Sequence, residues 1–120
     1  MRRMTKSTKM SIVHHDPTLV DFLLEHKIAQ SILESFAQLG SRKPEEWVKV
    51  PDVLKALKQI EEHRKLRNLR STVHYYCKRL YEKYEAIDRH KSNRPVYYRI
   101  TDKGKTHLTK ILNNKKEGEG

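Results

Sequence analysis

Two short runs of strand-forming residues, Ala86-Ile87-Asp88-Arg89-His90 and Val96-Tyr97-Tyr98-Arg99-Ile100, flank the turn Lys91-Ser92-Asn93-Arg94-Pro95. Ser, Asn and Pro between two β-type runs read as a hairpin. The two-residue period of a strand puts Val96, Tyr98 and Ile100 on one face and Tyr97 and Arg99 on the other. One further stretch, Trp47-Val48-Lys49-Val50, alternates like a short strand; the other patterned segments have helical spacing. The chain is therefore expected to be mainly α with a small β-hairpin, an α+β fold.

Asp16-Pro17 opens the first helix well, with a carboxylate to cap free N–H groups and proline in the first turn. Apolar residues from Leu19 to Leu39 cover more than half the circumference of a helix running from Thr18, and Gly40 stands where a C-terminal cap belongs. An ordinary surface helix shows a single stripe. The surplus suits a second buried face against another subunit, or else a central helix buried within one chain. After the polar loop Ser41–Glu46, Pro51-Asp52 starts a second helix with the stripe Val53, Leu54, Leu57 and Ile60. A third reaches Tyr84, its inward set being Val73, Cys77, Leu80, Tyr81 and Tyr84. Its outer face presents Thr72, Tyr75 and Arg79, flanked by Ser71, His74, Tyr76 and Lys78, with Tyr76 also able to fold back onto the core. Thr101-Asp102 caps a last helix carrying Leu108, Ile111 and Leu112.

These boundaries give a basic, flexible arm over residues 1–15, one domain over 16–112, and a polar tail over 113–120 expected to be disordered. With 120 residues the chain has room for one modest core. It has no apolar run of the ~18–20 residues that a membrane helix needs, and its basic start lacks the apolar stretch of a signal peptide. Cys77 is the single cysteine, so an internal disulfide and every CxxC zinc arrangement are excluded. Lying on a buried stripe, Cys77 reads as a structural thiol.

The formal net charge is +11. Residues 11–60 are nearly neutral, whereas residues 61–100 hold eleven basic and five acidic side chains and residues 1–10 hold four basic ones. Such a local excess is the footprint of a surface that meets phosphates. Arg64, Lys65, Arg67 and Arg70 crowd the link between the second and third helices. No Gly-rich phosphate loop and no HExxH metal pattern is present, so no enzyme, cofactor or metal is expected.

The order α-β-α-α-β-β-α resembles a winged helix-turn-helix domain over residues 18–112. Ser71-Thr72-Val73-His74-Tyr75-Tyr76-Cys77-Lys78-Arg79-Leu80 looks like that family's recognition helix. Arg94-Pro95-Val96-Tyr97-Tyr98-Arg99-Ile100-Thr101-Asp102-Lys103-Gly104-Lys105 resembles the second wing strand of regulators of the MarR, PadR and ArsR types, bacterial or archaeal. The resemblance implies that residues 71–79 enter a major groove, with Ser71, Thr72, His74, Tyr75, Tyr76 and Arg79 reading bases. It implies phosphate or minor-groove contacts from Lys78, Lys91, Asn93 and Arg94, to which an enlarged loop would add Arg64, Lys65, Arg67 and Arg70. Such regulators commonly pair as homodimers. The candidate interface is Leu19, Phe22, Leu23, Ile32 and Phe36 with Leu108, Ile111 and Leu112, the last helix alternatively closing its own core. Eight residues between Ile60 and Leu69 exceed the usual short turn; either the second helix runs on through Glu61-Glu62 or the link is an enlarged basic loop. The leading expectation is a sequence-specific regulator of double-stranded DNA, cytoplasmic and nucleoid-associated. The alternatives are an architectural DNA-binding protein and a protein-interaction or RNA-associated module.

Overall fold

The computed structural model describes residues 17–93 and 96–119, with the backbone alone for residues 92, 93 and 114–119. The arm over 1–15 and Arg94 lie outside the described residues. The elements are α1 (Pro17–Glu25), α2 (Lys27–Gly40), β1 (Val48–Lys49), α3 (Val50–Leu57), α4 (Glu61–Arg64), α5 (Leu69–Glu82), β2 (Ile87–Asn93), β3 (Val96–Ile100) and α6 (Asp102–Glu119). The fold is α+β: among the described residues there are six helices and one antiparallel sheet of order β1-β3-β2.

The hairpin forms, with Ile87 opposite Ile100 and Arg89 opposite Tyr98, and an irregularity lies between Arg89 and Asn93. The short run after Trp47 joins it as a third strand, pairing Val48 with Tyr98 and Lys49 with Tyr97. Its inward side chains, Val48, Tyr98, Ile87 and Ile100, are buried.

The single helix expected from Thr18 to Leu39 is in fact two. His26 leaves helical backbone, at φ −128° and ψ 90°. Its amide still donates to the Phe22 carbonyl at 3.0 Å, closing α1. A continuous helix would have offered the Leu23 carbonyl to Lys27; here the buried Gln30 side chain donates to it instead, Nε2 to oxygen 2.8 Å. That bond removes an orphan acceptor from the interior, where an unmet polar group costs about 1–3 kcal/mol.

α2 is the hub, touching α1, α3, α5, α6 and the sheet. This centrality explains its wide apolar surface and corrects the dimer-interface expectation. Leu19, Phe22, Leu23, Ile32, Phe36, Leu108 and Ile111 are buried within one chain, none more than 7% exposed, and Leu112 packs half-buried against them. These side chains are core, occupied by their own fold. On α1, Leu24 is the large apolar residue left exposed.

α6 also departs from expectation, staying helical to Glu119 where disorder was expected from residue 113. The segment has no proline, and its Lys and Glu residues are good helix formers, so nothing breaks the helix before Gly118. Its beginning is tied down closely. The Thr101 hydroxyl donates to the Glu85 carbonyl at 2.8 Å and accepts the Gly104 amide at 3.1 Å. The Thr101 amide donates to the Ala86 carbonyl at 3.0 Å. A Cβ on Gly104 would fall 2.2 Å from that same carbonyl oxygen, so only glycine allows α6 to start there. This knot fixes the root of the hairpin against the end of α5.

Candidate nucleic-acid interface

The long link between the second and third predicted helices resolves into a separate turn of helix, α4. Its His63 is buried and lies 2.9 Å from the Ser31 hydroxyl on α2, a hydrogen bond that pins the link to the hub. Arg64 and Lys65 both reach Glu61, each at 3.6 Å. α5 begins at Leu69, so Arg70 belongs to it and Arg67 precedes it. Leu69, Val73, Cys77 and Leu80 form its buried stripe. Tyr81, expected inward with them, is 37% exposed, its ring 6.2 Å from that of Tyr98.

The outward side of α5 splits into two flanks. On one, Arg70 and His74 border a groove of about 730 Å³ together with Lys55, Lys58, Arg64 and Arg67. Val50, Leu54, Leu66 and Val96 give this groove an apolar floor, and no carboxylate lines it. Five cations around one concavity raise the local potential and draw in anions. Lys55 and Lys58 were not foreseen. Their signal was available, since both stand three apart on the polar side of the α3 stripe, but they carry no motif.

The other flank turns toward α1. Tyr75, Tyr76 and Arg79 share a concavity of about 360 Å³ with Asp21, Glu25 and His26. Tyr76 is half-buried, its hydroxyl 3.0 Å from His26 Nδ1 and its ring 5.7 Å from Phe22, so it folds back as one reading of the sequence allowed. Arg79 is also half-buried, its guanidinium 5.8 Å from the centre of the Tyr75 ring. Its Nε is a buried polar atom without a hydrogen-bond partner. The structure thus separates Tyr76 and Arg79 from His74, which the sequence had grouped with them as base readers, and sets His74 beside Arg70. Ser71, His74, Tyr75 and Lys78 are exposed, and Thr72 is half-buried. Lys91 is exposed on β2 and Asn93 ends that strand; Arg94 lies outside the described residues.

No family model matches this chain, and no curated protein or solved structure matches it either.

Burial pushes the Cys77 thiol up to about 12, well away from the thiolate that nucleophilic or redox chemistry needs. Tyr76 and Tyr98 are raised by burial too, Tyr76 with a smaller push from neighbouring Tyr75. Among the described residues, no three His, Cys, Asp or Glu side chains gather as metal ligands. No helix among them is long and apolar enough to cross a membrane.

Proposed function

We propose that this chain is a winged helix-turn-helix protein that binds double-stranded DNA in a sequence-specific way and regulates transcription. In this reading α3, α4 and α5 form an expanded helix-turn-helix, α5 is the recognition helix, and β2 and β3 form the wing. The observation that carries it is the groove beside α5, ringed by Lys55, Lys58, Arg64, Arg67 and Arg70 with no carboxylate. Cations so placed, with Lys78, would hold the phosphate backbones flanking a major groove, while exposed Ser71, His74 and Tyr75 meet base edges. Lys91, Asn93 and Arg94 would add backbone or minor-groove contacts. A homodimer on paired half-sites belongs to this reading, formed through a surface other than the buried residues of α1, α2 and α6.

One observation favours the architectural alternative. Arg79 and Tyr76, two of the six candidate base readers, are engaged toward α1, which leaves phosphate-directed cations as the larger share of the surface. Selection from a random duplex library decides between the two. A palindromic motif that outcompetes random duplex at ~150 mM salt supports the regulator; equal competition supports non-specific phosphate binding. Lys58→Ala and Arg67→Ala should each lower the salt dependence of binding by about one counterion for any sequence. Binding to no duplex, even at low salt, would remove both readings.

A further inference from the structure

β3 carries two chemistries on its two faces. Val96 turns to the cationic groove, and its neighbour Tyr97 turns to the opposite, outer face of the sheet. There Tyr97 is paired across strands with Lys49, and Arg99 with Asp88. The Arg99 guanidinium lies over the Trp47 ring, 4.3 Å from its centre. His90 meets the Trp47 ring edge-on at 4.9 Å and the Tyr97 ring at 5.8 Å. Three aromatic rings and a stacked guanidinium thus form one continuous layer, with Trp47, His90, Tyr97 and Arg99 each half-buried. The core needs none of them: Val48, Tyr98, Ile87 and Ile100 fill the inner face.

We propose that this layer is a second nucleic-acid site, which stacks the unpaired bases of a single strand. A flat cation held on an indole, with a phenol beside it, matches the two partners that splayed bases use most, aromatic rings and guanidinium planes. A duplex keeps its bases stacked inside and offers no such face, so the site selects single strands. Lys49 and Arg99 supply charge for the intervening phosphates. Asp88, Glu46 and Asp102 border Arg99, but Glu46 is paired with Lys105 at 3.0 Å, and the Asp88–Arg99 contact is 4.0 Å long between side chains 55% and 43% exposed. An ion pair that open contributes little, and a phosphate can replace the carboxylate at small cost. The site does not depend on the duplex reading, because the groove and the layer lie on opposite faces of β3.

Trp47 is the only tryptophan, so its emission reports on this layer alone. Titration of the full chain with a thymidine oligonucleotide of about a dozen nucleotides should quench Trp47 at low salt. Tyr97→Ala and Arg99→Ala should each weaken binding at least about fivefold, with the circular dichroism of the wild type retained. Arg99→Lys keeps the charge and loses the plane, so it should weaken binding as Arg99→Ala does. Lys58→Ala and Arg67→Ala should leave this titration within about twofold while weakening duplex binding, which keeps the fates of the two sites separable. Absence of quenching overturns the proposal. So does full rescue by Arg99→Lys, which would reduce the site to charge, or equal loss on changing the groove, which would place the strand there. If instead Tyr97→Ala abolishes self-association seen by sedimentation, the layer is an interface for a second copy and the proposal fails.

Discussion

The hydroxyl of Tyr76 lies 3.0 Å from Nδ1 of His26, a hydrogen bond between residues fifty positions apart. It joins the middle of α5 to the one non-helical residue between α1 and α2. Phe22 stacks on Tyr84 at 4.7 Å and approaches His26 at 4.9 Å, so the bond sits inside an aromatic cluster. The bond therefore ties the flank of α5 that faces away from the cationic groove to the junction of the first two helices.

Tyr76→Phe should therefore keep the ring packing and lose the bond. The expected cost is about 0.5–1.5 kcal/mol, read from urea denaturation with an unchanged m-value. If Tyr76 read bases directly, the same variant would weaken binding to a selected duplex and leave stability alone.

Phe36, fully buried on α2, tests the corrected role of the apolar set. Phe36→Ala should destabilise the chain by about 3–5 kcal/mol, by the same amount at every protein concentration. A loss that shrinks as concentration rises would instead place this side chain between subunits.

Cys77 gives the pH dependence. Its thiol is raised from 9.0 to about 12 in the folded chain, so an unfolded chain releases this proton first. Stability should be level with respect to this group below pH 9.0 and fall as pH climbs toward 12. Tyr76 and Tyr98 are raised as well and push the same way at alkaline pH. Thiol alkylation near pH 8 should be slow in native protein and track the unfolded fraction in urea; rapid native alkylation would contradict a buried Cys77.

The two glycines at helix ends should respond differently to a methyl group. At Gly104 the added carbon would meet the Ala86 carbonyl oxygen at 2.2 Å and Ile100 Cγ1 at 2.8 Å, whereas at Gly40 the nearest atom, the Glu46 carbonyl oxygen, is 3.1 Å away. Gly104→Ala should cost on the order of 2–3 kcal/mol or more, and Gly40→Ala should stay within about 1 kcal/mol of the wild type. Thermal melts of both variants would show it.

Much of this arrangement was legible in the residues. The period of Val73, Cys77 and Leu80 located α5, and strand alternation located both faces of β3, because each signal is local and repeats along the chain. The break at His26 was hidden, since apolar residues continue past it and the contacts made there, Gln30 to the Leu23 carbonyl and Tyr76 to His26, are not periodic signals. α4 was hidden for the same reason: His63 looks like one more polar residue until Ser31, thirty-two positions back, gives it a bond. The groove was half visible. Arg64, Arg67 and Arg70 announced themselves as a run, whereas Lys55 and Lys58 join them only once α3 packs beside α5. His74 and Arg79 were grouped as base readers, because what each flank of α5 faces is decided only by the helices packed beside it.

The closeness of Gly104 to Ala86 has a consequence written in the genetic code. Every single-base change in a glycine codon that yields another residue adds a Cβ, and here every Cβ strikes backbone carbonyl. No intermediate substitution lets this position drift by small steps. The cations of the groove can be exchanged one for another, but the root of the hairpin must keep its glycine or move together with residues 85 and 86.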